Sequence, residues 1–133
     1  MLYHSTRGLD GSRSFSEVLH SGLAEDGGLF VPESVPTLNR ETIDEWKHYS
    51  YEELAVEIIS LFSGDCFSRS ELTEIVYQSY SGFQHEIKSP LTKLEENHFF
   101  LELFHGPTLA FKDFAMQVIA KMFERTLQKQ NLK

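Results

Sequence analysis

Apolar residues at helical spacing predict three helices in the first part of the chain. Each is preceded by a serine with a glutamate three residues later, and this spacing lets both side chains satisfy free backbone amides at a helix start. The three pairs are Ser14 with Glu17, Ser50 with Glu53, and Ser68 with Glu71. The apolar stripes end at Gly22, at Gly64 and near Gly82. A shorter helical piece is predicted between Glu41 and Lys47.

A small sheet is predicted beside these helices. The segment from Leu29 to Val31 is apolar, and the glycines before it and Pro32 after it interrupt any helix. The opening segment, Leu2 to Thr6, is the expected partner strand. Residues 1–82 are therefore predicted to form a helical domain with a small β-sheet.

The pattern changes after Gly82. The stretch from Gln84 to His98 is polar and predicts a connection over the surface. The run from Phe99 to Phe104 is nearly all apolar, which favours a strand covered on both faces, as in parallel sheets. A long helix is predicted from about Leu109 to Gln128.

These elements predict an α/β protein that is mostly helical, with residues 83–133 as the opening unit of an α/β domain. One strand and one helix cannot complete a doubly wound sheet, so the chain is expected to stop within this second domain. The long helix then carries a broad apolar surface without its sheet. We expect it to pack on the helices between residues 51 and 80, or against a second copy of the chain.

Composition narrows the function classes. The chain has 133 residues and a formal net charge of -8, which argues against partners such as nucleic acid or an anionic membrane. Its single cysteine, Cys66, and the lack of a signal segment or a membrane-spanning apolar run predict a cytoplasmic protein. The six histidines are scattered, so no metal site is expected.

Candidate chemistry lies in the segment LELFHGPTLAFKDFA, residues 101–115. Lys112 is predicted in the first turn of the long helix, between Phe111 and Asp113. Partial burial and the positive end of the helix dipole would both disfavour its charged form, and a neutral amine can form a Schiff base with an aldehyde. The alternative is a lysine that only reaches into water, with Thr108 or Asp113 capping the helix.

The same segment resembles the cofactor-lysine motif of the threonine synthase family, which belongs to the tryptophan-synthase-like pyridoxal-phosphate enzymes. Three further stretches resemble successive blocks of that family's amino-terminal domain: YHSTRG, SFSEVLHSGLAEDGGLFVPESVP and YEELAVEII. The four blocks occur in the family's order and cover nearly the whole chain. Together they are more specific than any one short motif.

The resemblance implies that Lys112 binds pyridoxal 5'-phosphate covalently, with Phe111 and Asp113 fixing its direction. It implies conversion of O-phospho-L-homoserine and water into L-threonine and phosphate, in which the freed lysine moves protons at the α and β carbons. The family's Ser/Thr/Gly-rich loop for the cofactor phosphate comes after this helix, and nothing in residues 115–133 resembles it. The chain alone is therefore expected to be inactive.

Three residues are further candidates for substrate contacts. The guanidinium of Arg7 suits a phosphate, and Thr6 precedes it. The alternative is that both are polar residues at the end of a strand. His105 lies in the turn before Lys112, where it could approach the cofactor or bond to nearby backbone.

Two other functions stay open. A threonine-synthase-like phospholyase would share the Lys112 motif but release an oxoacid and ammonia. Alternatively, residues 1 to about 82 form a structural or interaction module without catalysis.

Overall fold

The computed structural model describes residues 1–131 of the chain. Within that range the elements follow in this order: β1 (Leu2–Ser5), β2 (Arg13–Ser14), α1 (Phe15–Ser21), β3 (Phe30–Pro32), α2 (Arg40–Trp46), α3 (Tyr51–Ser63), a 3-10 turn (Gly64–Cys66), α4 (Arg69–Tyr80), β4 (Leu91–Glu95), β5 (His98–Leu101) and α5 (Asp113–Lys129). The predicted class, mostly helical with small sheets, is confirmed. No helix within residues 1–131 combines the length and the apolar content needed to cross a membrane.

All three predicted helix starts are confirmed. In each, the serine hydroxyl accepts the glutamate amide at 3.2–3.4 Å, and the glutamate carboxylate accepts the serine amide at 2.7–2.8 Å. Gly22 and Gly64 follow α1 and α3 with φ of 70° and 56°, a backbone region that glycine enters at little cost. α4 ends at Tyr80, two residues before the predicted Gly82.

The predicted strand pair is confirmed in a three-stranded antiparallel sheet. β1 lies in the centre between β2 and β3, and Ser5 pairs with Phe30. β2 is two residues long, which is too short to show a periodic pattern. It leads directly into α1 and so joins the sheet to the helices.

The core lies between α3, α4 and α5. α5 packs on α4 through Val118 and Met122, which confirms the predicted contact with the helices between residues 51 and 80. The buried hydrophobic residues of this core are Val56, Phe67, Leu72, Ile75, Val76, Tyr80, Phe83, Val118 and Met122. Burial of the apolar stripe of α5 is the main force that holds it in place.

The prediction for residues 84–104 is wrong in two respects. Phe99 to Phe104 does not form a strand covered on both faces, because β5 pairs antiparallel with β4 and every residue of both strands is exposed. The segment read as a polar connection contains β4 itself. An apolar run does not identify its partner, and the short turn at Glu96 and Asn97 closes a hairpin at low entropic cost.

The start of the last helix is also corrected. α5 begins at Asp113, not at Leu109, because Leu109 has a φ of 61° that an α-helix does not accommodate. Before it, the amides of Leu109 and Asp113 donate to the carbonyls of Gly106 and Ala110 in two successive turns. The proposed domain boundary near residue 82 stays a prediction.

Candidate functional site

A buried carboxylate organises the loop of residues 106–112 that precedes α5. Asp113 is 3% exposed, and its side chain accepts the Thr108 amide at 2.8 Å and the Thr108 hydroxyl at 2.9 Å. Burial alone would raise the pKa of Asp113, but the hydrogen bonds from Thr108 and Gln117 lower it below its ordinary value. Thr108 therefore serves Asp113 as a donor and is not the helix cap that the sequence suggested.

Gly106 is required by this arrangement. A Cβ atom built at Gly106 would lie 2.5 Å from the Cβ and 2.8 Å from the Cγ of Asp113. Both distances are shorter than any ordinary carbon–carbon contact. The Gly-Pro turn therefore brings the loop backbone directly against the buried carboxylate.

Lys112 lies at the N-cap position of α5, one residue before the helix. Its carbonyl accepts the amides of Ala115 at 3.1 Å and Met116 at 2.9 Å. Its side chain is exposed, so the predicted partial burial is wrong for the part of the chain that the structure describes. Within residues 1–131, no hydrogen-bond or ion-pair partner contacts its amine.

The side chain of Lys112 borders an open, mainly apolar groove of about 520 Å³. Phe111 lies on the same wall, so the structure brings these two candidates together. Asp113 is buried behind them, where it holds the loop. The residues that line the groove are Leu103, Phe111, Lys112, Phe114, Ala115 and Met116.

His105 belongs to a polar network beside the loop. Its Nε2 lies 2.7 Å from Glu102 Oε2, and its ring contacts that of His85 with centroids 4.8 Å apart. The hydroxyl of Thr92 in β4 donates to Glu102 Oε1 at 2.6 Å. Hydrogen bonds from Thr92 and His105 lower the pKa of Glu102. This network depends on the hairpin, which explains why the sequence did not reveal it.

Thr6 and Arg7 lie at a corner between β1 and β3. The Thr6 hydroxyl accepts the Leu29 amide at 3.0 Å, and Arg7 Nη1 donates to the Asp26 carbonyl at 3.0 Å. No hydrogen bond or ion pair within residues 1–131 connects them to Lys112 or His105. Thr6 and Arg7 are held instead by contacts of their own, with Leu29 and Asp26.

Two residues near the loop were not singled out from the sequence as site residues. The Tyr80 hydroxyl at the end of α4 donates to the Phe114 carbonyl at 3.0 Å. The Ser79 hydroxyl shares its proton between the Ile75 carbonyl of its own helix at 2.7 Å and the Gln117 carbonyl at 3.2 Å. Tyr80 fits the apolar spacing of α4, so the pattern shows a core residue. Its hydrogen bond depends on the position of α5, which only the fold provides.

Comparison with known proteins places this geometry in a family. A profile described as the threonine synthase N terminus matches residues 2–80. The chain belongs to the threonine synthase family.

Alignments with similar family members extend over nearly the whole of this chain. Threonine synthase of Pseudomonas aeruginosa is 42% identical over 129 residues, and that of Eremothecium gossypii is 44% identical over 137 residues. These alignments cover 97% and 98% of this chain but 28% and 27% of the relatives. The chain thus spans about a quarter of the length of the curated relatives it matches.

A solved structure extends the similarity to the whole described fold. The pyridoxal-phosphate-bound threonine synthase from Brucella melitensis superposes with a TM-score of 0.96 at 40% sequence identity. The match covers 98% of this chain and 28% of that one, so it includes the Lys112 loop as well as the amino-terminal helices.

Proposed function

We propose that this chain is the amino-terminal part of a threonine synthase, which converts O-phospho-L-homoserine and water into L-threonine and phosphate. The observation that carries the proposal is the position of Lys112. It borders an apolar groove and lies at the end of a loop that Asp113 fixes. Membership in the family supports the same reading. The activity is proposed for the longer protein, and we expect the 133 residues alone to lack it.

The residues at this groove fit pyridoxal 5'-phosphate. An aldehyde requires an accessible primary amine, and Lys112 offers one that is not committed to a carboxylate within residues 1–131. Phe111 and Phe114 provide apolar walls beside it. When bound, the cofactor supplies an electron sink next to the amino-bearing carbon of the substrate.

Lys112 performs two tasks in this proposal. It would hold the cofactor through its amine, and the same amine, once free, would take protons from the α and β carbons of the substrate and return protons to the γ and α carbons. Phosphate leaves from the γ carbon with the bonding electrons, and water adds at the β carbon. Asp113 fixes the loop that aims the lysine, and Phe111 packs beside the cofactor.

Substrate contacts are proposed for Arg7, Thr6 and His105. Arg7 donates one hydrogen bond to Asp26 and is otherwise exposed, so its remaining N–H groups suit an anionic phosphate. The Nε2 of His105 is held by Glu102, so Nδ1 is the ring nitrogen that we propose for the substrate contact. The cytoplasmic location predicted from the composition is kept as part of the proposal.

Product analysis tests the function directly. The full-length protein, supplied with pyridoxal phosphate and O-phospho-L-homoserine, should release threonine and phosphate in equal amounts. Lys112→Ala should lower turnover at least a thousandfold, because covalent attachment and proton transfer are both lost. Lys121→Ala serves as the control, since Lys121 lies on α5 and pairs with Glu124 on the exposed surface.

The same measurement separates the alternatives. Release of 2-oxobutyrate and ammonia without threonine would favour the phospholyase. Neither product, together with no retained cofactor, would favour the structural module. Either result would refute the proposed function.

A further inference from the structure

Two buried hydroxyls at the end of α4 donate to backbone carbonyls at the start of α5. Tyr80 donates to the Phe114 carbonyl at 3.0 Å, and Ser79 shares its one hydroxyl proton between the Gln117 carbonyl at 3.2 Å and the Ile75 carbonyl of its own helix at 2.7 Å. We call the two contacts to α5 the hydroxyl clasp. Both donors are 4% exposed. A buried hydrogen bond to a helix carbonyl fixes the backbone more firmly than apolar contact, because it has a directional requirement.

The clasp acts on the turn that follows Lys112. Phe114 lies two residues after Lys112, and its ring lines the groove that Lys112 borders. The ring of Phe114 also meets an aromatic cluster, with centroid distances of 4.9 Å to Phe83 and 6.0 Å to Tyr51. Phe114 therefore contacts both the core and the groove of the candidate site.

Lys112 is connected to this turn through its backbone. Its carbonyl accepts the amides of Ala115 and Met116, so a shift of the first turn of α5 would carry Lys112 with it. Tyr80 also packs edge-on against Tyr51 and Phe83, at 5.0 and 5.2 Å. The ring of Tyr80 also meets the ring of Phe114, with centroids 6.3 Å apart, so α4 contacts the turn after Lys112 through both packing and hydrogen bonding.

Tyr80 is suited to be a permanent donor. Burial, followed by the proximity of Tyr51, raises the pKa of Tyr80 well above its ordinary value. The hydroxyl consequently keeps its proton at any pH at which the protein would work.

We propose that Tyr80 is a positioning residue for Lys112, acting through the Phe114 carbonyl, with Ser79 as the second member of the clasp. The proposal rests on the proposed function in one respect, the role of Lys112 in holding the cofactor. The position of the turn itself is independent of that function and is measured separately.

The test compares two tyrosine-to-phenylalanine variants of the full-length protein. Tyr80→Phe removes the clasp hydroxyl and keeps the ring. Tyr3→Phe is the matched control, because Tyr3 is 7% exposed and its hydroxyl donates to the Phe62 carbonyl of α3 at 2.8 Å. Each variant deletes one hydrogen bond to a helix carbonyl, and they differ in whether that helix begins next to Lys112.

Amide hydrogen exchange of the cofactor-free protein gives the first readout. Tyr80→Phe should speed exchange in residues 113–118 by roughly three- to tenfold, the change that loss of one net hydrogen bond produces. Tyr3→Phe should leave that segment unchanged and speed exchange near the end of α3. Reductive methylation with formaldehyde gives a further measurement. The rate at which Lys112 is methylated should differ from that of the parent protein in Tyr80→Phe and should equal it in Tyr3→Phe.

Turnover gives the second readout. Tyr80→Phe should lower kcat by roughly three- to tenfold with little change in KM, since a misdirected lysine affects proton transfer more than substrate binding. Tyr3→Phe should keep the kcat of the parent. If Tyr80→Phe matched Tyr3→Phe in exchange, in methylation and in kcat, the positioning role would be refuted.

Failure of the proposed function and failure of the positioning role give different results. A parent protein that makes no threonine would refute the proposed function, whereas exchange and methylation would still test the clasp. Should Tyr80→Phe not fold, Ser79→Ala becomes the deciding variant. Unchanged exchange in residues 113–118 of Ser79→Ala would then overturn the clasp.

Discussion

At the scale of single residues, the loop before α5 depends on the missing side chain of Gly106 as much as on the carboxylate of Asp113. Asp113 occupies the space that a side chain at position 106 would fill, and its carboxylate binds both donors of Thr108. Gly106 thus makes the buried hydrogen bonds possible. Lys112, whose side chain is exposed, lies at the end of the loop that these hydrogen bonds fix.

Gly106→Ala should destabilise the full-length protein by about 1–3 kcal/mol, the usual cost of forcing atoms into a packed site. Urea unfolding at neutral pH measures the change. Gly11→Ala is the control, since a Cβ at Gly11 meets nothing within 4 Å, and its effect should be near zero. Equal stability of the two variants would argue against the close approach of Gly106 and Asp113.

Some features of the site residues could be predicted from the sequence, and others could not. The place of Lys112 at the strand-to-helix turn and the presence of Phe111 beside it were predictable, because both follow from local order and from the family resemblance. The exposure of Lys112 and the engagement of His105 with Glu102 were not, because they depend on the hairpin and on the groove. Tyr80 was hidden for the same reason, since its acceptor lies 34 residues away.

At the scale of elements, ion pairs add to the apolar contact between α4 and α5. Glu71 accepts a hydrogen bond from Lys129 at 2.8 Å and from the Ser68 amide at 2.8 Å, and Arg125 pairs with Glu74 at 2.6 Å. The bond from Lys129, followed by that from Ser68, lowers the pKa of Glu71 to about 2. Glu71 therefore connects the start of one helix to the end of the other.

Glu71→Gln should lower stability at neutral pH by about 1–2 kcal/mol, a value reduced for solvent screening of a partly exposed pair. The folded-state pKa lies below the unfolded one, so the contribution is present above about pH 4.5 and is lost as the pH falls towards 2. Thermal unfolding between pH 2 and pH 7 measures this dependence.

The control for that experiment is Glu124→Gln, which removes the same charge from an exposed pair with Lys121. It should change stability by a few tenths of a kcal/mol at most. A pH-independent effect of Glu71→Gln would contradict the role assigned to its carboxylate.

Local elements were predicted better than pairings. The three capping boxes involve residues three apart, so their sequence signal is complete in itself. The antiparallel pairing of β4 with β5 was missed because an apolar run is compatible with several partners. The start of α5 was placed four residues early, since nothing in the pattern showed the positive φ of Leu109.

At the scale of the whole molecule, the amino-terminal helices and α5 share one core, and the Lys112 loop lies at its edge. The described fold matches part of a threonine synthase structure with a TM-score of 0.96. Under the proposed function, the apolar groove beside Lys112 is the surface against which the cofactor ring would lie.

Borohydride reduction of the full-length protein with bound pyridoxal phosphate tests this account most directly. Reduction makes the lysine–cofactor bond permanent, and peptide mapping by mass spectrometry then locates it. We expect the label on Lys112, in the peptide that contains Phe111 and Asp113, and no label in Lys112→Ala. A label at any other lysine, or none in the parent protein, would contradict the account.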